Sequence, residues 1–263
     1  MTFVSGHFGE WLQGHVGPNR RLALVTLNCP VAGARVRTTR EAVPRLLQNE
    51  PVLEIDRCRR FLTSLCLPTE VSIRLEVDLP PGGGAGMSTA ALVALARANS
   101  AEESKIAAAC LAVEGATDPL MLASPDGVLW APRSARALAP VPLPPAAEIV
   151  GGFWGPPCAT DPNDLAFPVV DDLVDIWKEG PSLSEAARLA TLSHERTTEL
   201  RGPKGDPTVD IAQRLGALGV ARAHTGSARS VIFAPGTVPS FAEHAMRNAG
   251  YTSVIRFPTG GGR

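Results

Sequence analysis

The sequence predicts an α+β fold, and three observations carry that prediction. Apolar and polar residues alternate without a break from Val71 to Leu79, the period of two that marks a strand with one buried and one wet face. That strand stops at Pro80-Pro81 and leads through a glycine run into the apolar helix Ala90–Leu95. Further on, two helical patterns precede a strand, turn and strand, so helices and strands mix without strict β-α alternation.

Taken in order, Leu22–Leu27 and Gly33–Thr39 read as short strands separated by turn residues. Cys58–Leu67 predicts a helix ended by Pro68. A helix from about Ala101 to Glu114 follows Ser100-Ala101-Glu102-Glu103, a capping-box pattern. Prolines recur from Pro132 to Pro145, and a boundary near there divides the chain into domains 1–145 and 146–263. Gly151–Pro168 is rich in Gly, Pro and Asp and predicts a long surface loop. Helices are expected at Leu183–Arg201 and Thr208–Leu218, then strands Gly219–His224 and Val231–Ala234 around a small-residue turn. A helix (Pro239–Asn248), a strand (Thr252–Phe257) and a frayed tail (Thr259–Arg263) complete the expectation.

Composition narrows the function. With 263 residues, 44% hydrophobic and 19% charged, the chain can bury a core as one large domain or two small ones. A net charge of −1 argues against a nucleic-acid surface or an anionic-membrane patch. No apolar stretch approaches the roughly 18–20 residues needed to span a bilayer. Cys29, Cys58, Cys66, Cys110 and Cys158 form no C-x-x-C pair, which predicts free thiols in a reducing cytoplasm. The first residues carry neither a basic region nor a long apolar run, which also points to the cytoplasm.

The strongest chemical signal is Gly82-Gly83-Gly84-Ala85-Gly86, running into Met87, Ser88 and Thr89 at a helix start. Glycines let backbone N–H groups converge without Cβ obstruction, and a helix N-terminus adds partial positive charge. The expected ligand is a phosphate. A Walker loop is excluded because no lysine follows the glycines, and a Rossmann loop because Met87 stands where its third glycine would fall.

Four segments in matching order resemble the GHMP small-molecule kinases. Gly6-His7-Phe8-Gly9-Glu10-Trp11-Leu12-Gln13-Gly14 is similar to their first motif, in the C-G-E-L-x-Q-G form of the bacterial L-threonine kinases of cobalamin side-chain synthesis and propanediol utilisation. Pro81–Ala91 resembles the second motif, which wraps the ATP phosphates, and Ala223-His224-Thr225-Gly226-Ser227 the third. Val113–Asp118 is similar to the V-E-P-T-D segment of that subfamily.

The resemblance implies an α+β GHMP kinase fold of two domains. One is like ribosomal protein S5 domain 2, and the other is ferredoxin-like. It implies ATP and Mg²⁺, with the γ-phosphoryl group passed to a hydroxyl of a small metabolite, L-threonine first, in a monomer or homodimer. Homoserine, a sugar-like alcohol or a non-catalytic nucleotide-binding role are the alternatives. By position in the motifs, Pro81 to Thr89 with Thr225, Gly226 and Ser227 would cradle the nucleotide. Ser88, Thr89 and Glu114 would hold the metal, and Asp118 would handle the acceptor proton. Glu10, Gln13 and His224 are candidate substrate contacts, Arg229 a candidate phosphate partner, and Asp161, Asn163 and Asp164 candidate loop contacts. His7, His15 and His194 lack metal-ligand spacing and are assigned structural roles. The sequence departs from the family in two places: no Lys or Arg stands between Met1 and Val16, and Ala85 replaces a usual glycine.

Overall fold

The computed structural model describes residues 1–41, 43–158, 161 and 163–261. Its first element is far longer than expected: β1 (Thr2–Val16) and β2 (Arg21–Arg40) pair antiparallel along almost their whole lengths. The turn residues that suggested breaks are bulges inside continuous strands. Between Ser5 and Gly6 the register jumps from Gly33 to Cys29, so three extra residues on β2 are absorbed at one point.

The other strands are β3 (Leu46–Gln48), β4 (Val71–Val77), β5 (Val128–Ala131), β6 (Arg136–Pro140), β7 (Ala147–Phe153), β8 (Gly219–Arg222), β9 (Ala228–Phe233) and β10 (Thr252–Thr259). They form one sheet in the order β10-β7-β9-β8-β1-β2-β4-β3, and the β5–β6 hairpin joins β2 through Leu24 and Trp130. Among the strands of the described residues β3–β4 is the one parallel pair, and His15 and Val169 add an isolated parallel bridge. The seam between early and late strands is Glu10 of β1 opposite Arg222 of β8.

Seven helices pack on this sheet among the described residues: α1 (Ile55–Ser64), α2 (Met87–Ala98), α3 (Glu103–Glu114), α4 (Asp171–Lys178), α5 (Leu183–Arg201), α6 (Thr208–Arg214) and α7 (Ala242–Asn248). In α2 every residue from Ala90 to Ala96 is buried. A helix apolar all round must lie inside, and its alanines let β1 and β2 approach on one side and α3 on the other. α5 lies across β1 and β8, bridging the seam. A second apolar cluster, with Val150, Ile211, Val231, Phe233, Met246 and Tyr251, lies between the late strands and α6 and α7.

Several expectations are corrected. Gly151–Phe153 belongs to buried strand β7 rather than to a surface loop, because β7 pairs on both edges, with β9 and β10. The capping box does not form: α3 starts from Glu102 without a side-chain cap, and Ser100 has φ +57°. The strand β10 extends through Thr259, whose hydroxyl donates to the Asn28 carbonyl at 2.7 Å, so the tail is pinned at least that far. Gly261 N–H adds a bond to the Pro144 carbonyl at 2.9 Å, while residues 262 and 263 lie outside the described residues. β3, the β5–β6 hairpin and α4 were not anticipated. α4 is fixed by Trp177, whose ring centroid lies 5.6 Å from that of Trp11 on β1.

Candidate active site

One cavity of about 630 Å³ opens where the glycine loop, the seam of the sheet and the end of α3 converge. Its lining includes Glu10, Gln13, Pro81, Gly82, Gly84 through Thr89, Glu114, Asp118, His224 and Thr225, so most residues singled out in the sequence share one wall. Gly83, Gly226 and Ser227 stand behind that lining. Ala228 N–H donates to the Gly83 carbonyl at 2.8 Å, and a Cβ on Gly226 would overlap that carbonyl. The turn after β8 therefore supports the glycine loop from behind, and only Thr225 of the three reaches the cavity.

The loop ends at Gly86, which takes φ +69° as the N-cap of α2. That left-handed geometry favours glycine, and a Cβ there would also strike the His7 ring. The first N–H groups of α2 have no partner within the helix and sit at its positive end, beside the cavity. Ser88 and Thr89 occupy that first turn. Both hydroxyls donate to Glu114, from Ser88 Oγ to Oε1 and from Thr89 Oγ1 to Oε2 at 3.2 Å. Burial pushes the Glu114 carboxyl up to about 7, against the lowering effect of those two bonds. Arg57 lies 4.0 Å from the same carboxylate.

Among the described residues no three His, Cys, Asp or Glu side chains cluster as a metal cage. The Ser88–Thr89–Glu114 set is instead two hydroxyls on one buried carboxylate, hard oxygens that suit Mg²⁺ with waters and phosphate completing its sphere. A cation there would also offset the desolvation that holds the Glu114 pKa up.

The most informative group is one the sequence reading set aside. His7 is buried, with Nδ1 3.5 Å from Glu10 Oε1 and Nε2 3.2 Å from Asp118 Oδ2. Burial lowers its pKa, but the charges of Glu10 and Asp118 and the bond to Asp118 outweigh it, raising His7 to about 9. Desolvation raises Glu10 to about 8, against the opposing charge of His7. His7 is thus a cation at neutral pH, the only one on a first motif without Lys or Arg.

Strand geometry explains the grouping. From His7 to Glu10 β1 advances three residues while β2 advances two, and from Glu10 to Leu12 it advances two against one. Each bulge inserts one residue, so His7, Glu10 and Gln13 all turn to one face despite spacings of three. Gly9, inside the first bulge, has φ +82°. Along that face His7 Nδ1, Glu10 Oε2 and Gln13 Oε1 are buried without hydrogen-bond partners among the described residues. Unpaired buried polar atoms are costly, so such a row fits a polar ligand.

Other candidates fall differently. His224 lines the cavity, yet its ring stacks on Phe167 (3.3 Å between centroids) and its Nε2 accepts from Arg201 at 2.8 Å. Burial and the nearby Arg201 lower it to about 2, so it is neutral. Arg229 is not a free phosphate partner: it is buried in an ion pair with Asp206 at 2.5 Å. Of the loop candidates, Asp161 lines the cavity, Asp164 is taken by Arg201 at 2.6 Å, and Asn163 is exposed outside the lining. Arg57 and Arg133, unremarked in the sequence, also line it.

Solved structures place the architecture. The chain superposes on Leishmania major mevalonate kinase in complex with R-mevalonate with a TM-score of 0.64, 14% identity, and 98% of this chain against 94% of that one. A homoserine kinase from Cytophaga hutchinsonii gives 0.60 at 15% identity, covering 85% and 84%. A phosphotransferase related to the CoA biosynthesis pathway gives 0.72 at 13%, covering 98% and 94%. The chain has the GHMP kinase fold. At these identities the likeness is one of fold. No protein-family model and no curated protein matches the sequence. On this fold, β1 carries a buried histidine between two carboxylates.

That feature makes a pH prediction. Folded His7 keeps its proton to about 9, whereas an unfolded histidine releases it near 6.5. The native state therefore binds more protons between those values, and the stabilisation is lost as pH rises through about 9. On a Glu10→Gln background, which removes the fall of the same sign that the raised Glu10 carboxyl contributes, His7→Gln is expected to flatten the remaining fall in melting temperature above pH 6.5. An unchanged slope would assign that proton elsewhere.

Proposed function

We propose that this chain is an ATP-dependent kinase transferring the γ-phosphoryl group to a hydroxyl of a small metabolite, with L-threonine as the favoured acceptor. The observation that carries the reading is a single cavity holding the glycine loop, the Ser88–Thr89–Glu114 oxygens and an aspartate bonded to a buried histidine. Phosphoryl transfer asks mainly for positioning and charge neutralisation, and this set of groups supplies both.

Backbone N–H groups from Gly84 to Thr89 bind phosphate oxygens, held in place by the turn at Gly226. Ser88, Thr89 and Glu114 would hold Mg²⁺, which when bound offsets charge on the phosphoryl oxygens. Asp118 orients the acceptor hydroxyl and takes its proton as the new oxygen–phosphorus bond forms and the bond from the γ-phosphorus to the ADP oxygen breaks, releasing ADP. His7 fixes the Asp118 carboxylate through Nε2 at 3.2 Å. Glu10 and Gln13 offer their unpaired oxygens to acceptor donors. The threonine assignment rests on the resemblance of Gly9-Glu10-Trp11-Leu12-Gln13-Gly14 to the threonine-kinase motif.

The test is ADP release with ATP and Mg²⁺ over L-threonine, L-homoserine, L-serine and a polyol such as erythritol. L-threonine is expected to give the highest kcat/KM. No turnover with any acceptor, alongside measured ATP binding, would leave a nucleotide-binding protein without transferase activity.

A further inference from the structure

Resting on the kinase reading, we infer that Arg133 reads a carboxylate on the acceptor, so that the substrate class is hydroxy acids rather than simple alcohols. The case begins with where Arg133 stands. The Pro132 carbonyl accepts the Thr117 N–H at 3.0 Å, and the Trp130 indole N–H donates to the Thr117 carbonyl at 2.6 Å. These bonds clamp the end of β5 to the residue preceding Asp118, and Arg133 and Asp118 both line the cavity.

Its partners are the second observation. Arg133 donates through Nη2 to the Asp164 main-chain carbonyl, and its guanidinium carbon lies 5.5 Å from the Phe167 ring centroid. The Asp164 carboxylate is taken by Arg201. Among the described residues Arg133 therefore has no ion-pair partner, although a guanidinium presents five donors in a fork that matches a carboxylate. The local field agrees: Arg201, Arg222 and Arg133 all act to keep His224 uncharged. Arg222, buried, is satisfied by the Thr198 hydroxyl and the Ala223 and Gly202 carbonyls rather than by a carboxylate. Arg133, Arg201 and Arg222 thus gather beside His224, with the Asp164 carboxylate taken by Arg201 and Asp161 also in the cavity lining. An acceptor with its hydroxyl at Asp118 and an anionic group at Arg133 satisfies both groups.

Binding tests this apart from turnover. With a non-hydrolysable ATP analogue and Mg²⁺ present, calorimetry compares L-threonine, L-serine and L-homoserine with their carboxyl-free counterparts 1-aminopropan-2-ol, ethanolamine and 3-aminopropan-1-ol. At least one acid should bind the wild-type chain about 10–100-fold tighter than its counterpart, the range for a charge-assisted bond. Arg133→Met should erase that preference while the ATP analogue still binds, and Arg133→Lys, which keeps the charge and loses the fork, should retain part of it. Equal binding of acids and amino alcohols, a preference that survives Arg133→Met, or no binding by any of the six would overturn the inference. Failure of the kinase reading looks different: the preference for the acid stands, but ADP is not released. Should Arg133→Met not fold, the partial loss in Arg133→Lys decides alone.

Discussion

Replacing Asp118 with asparagine is expected to lower kcat by about 10²–10⁴-fold, the usual range for removing a positioned proton acceptor. The change is nearly isosteric, and the protonated His7 can still donate from Nε2 to the amide oxygen that replaces the carboxylate. Shape and packing are therefore preserved while the negative charge is lost. Asp118 is partly exposed, but buried His7 loses one of the two carboxylates that hold its charge, so some loss of stability in denaturant unfolding is expected alongside the loss of rate. Affinity for an ATP analogue should stay within about threefold, because the phosphate-facing N–H groups belong to the glycine loop and α2. A second readout separates chemistry from architecture. With one of its two flanking carboxylates gone, His7 should titrate below its present value of about 9, visible in its ring resonances by NMR. Unchanged single-turnover rates in Asp118→Asn would remove this residue from the transfer step.

How much of this was legible beforehand depends on which patterns are local. The α5 helix was read residue for residue, because its apolar period and its serine start lie within one stretch. The glycine loop, Ser88, Thr89, Glu114 and Asp118 were likewise found from short contiguous segments, and the fold brings nearly all of them to one cavity. His7 was missed for a physical reason. Strand alternation puts residues three apart on opposite faces, and only the two bulges, set by pairing with β2, bring His7, Glu10 and Gln13 together. Arg229 failed the other way. Proximity to the third motif suggested phosphate, but its partner Asp206 comes from a separate segment that no local pattern ties to it. Bulges and long-range pairs are tertiary facts, so what was lost is what neighbours in sequence do not encode.

The most severe structural effect is expected from Gly226→Ala. Gly226 needs no unusual backbone conformation, so the cost is not dihedral strain. It is crowding: the added methyl would overlap the Gly83 carbonyl and the Gly84 nitrogen, backbone atoms that cannot rotate away as a side-chain end could. The turn must then back off the glycine loop, loosening the 2.8 Å bond from Ala228 N–H to Gly83 and the 2.9 Å bond from Trp154 N–H to Ser227. Overpacking costs about 1–3 kcal/mol and each weakened bond about 1 kcal/mol, so a loss of about 3 kcal/mol in denaturant unfolding is expected. Because the loop's N–H groups point where the turn holds them, the affinity for an ATP analogue should fall at least about tenfold as well. Gly236→Ala provides the contrast. That glycine has φ +78° and nothing within 4 Å of an added Cβ, so alanine there pays only backbone strain of about 1 kcal/mol. It is not among the residues that line the cavity, so nucleotide binding should not move. Two glycine-to-alanine changes thus separate a residue the loop's position depends on from one that merely turns the chain. If Gly226→Ala weakens folding but leaves nucleotide affinity intact, the glycine loop holds its shape without the turn behind it.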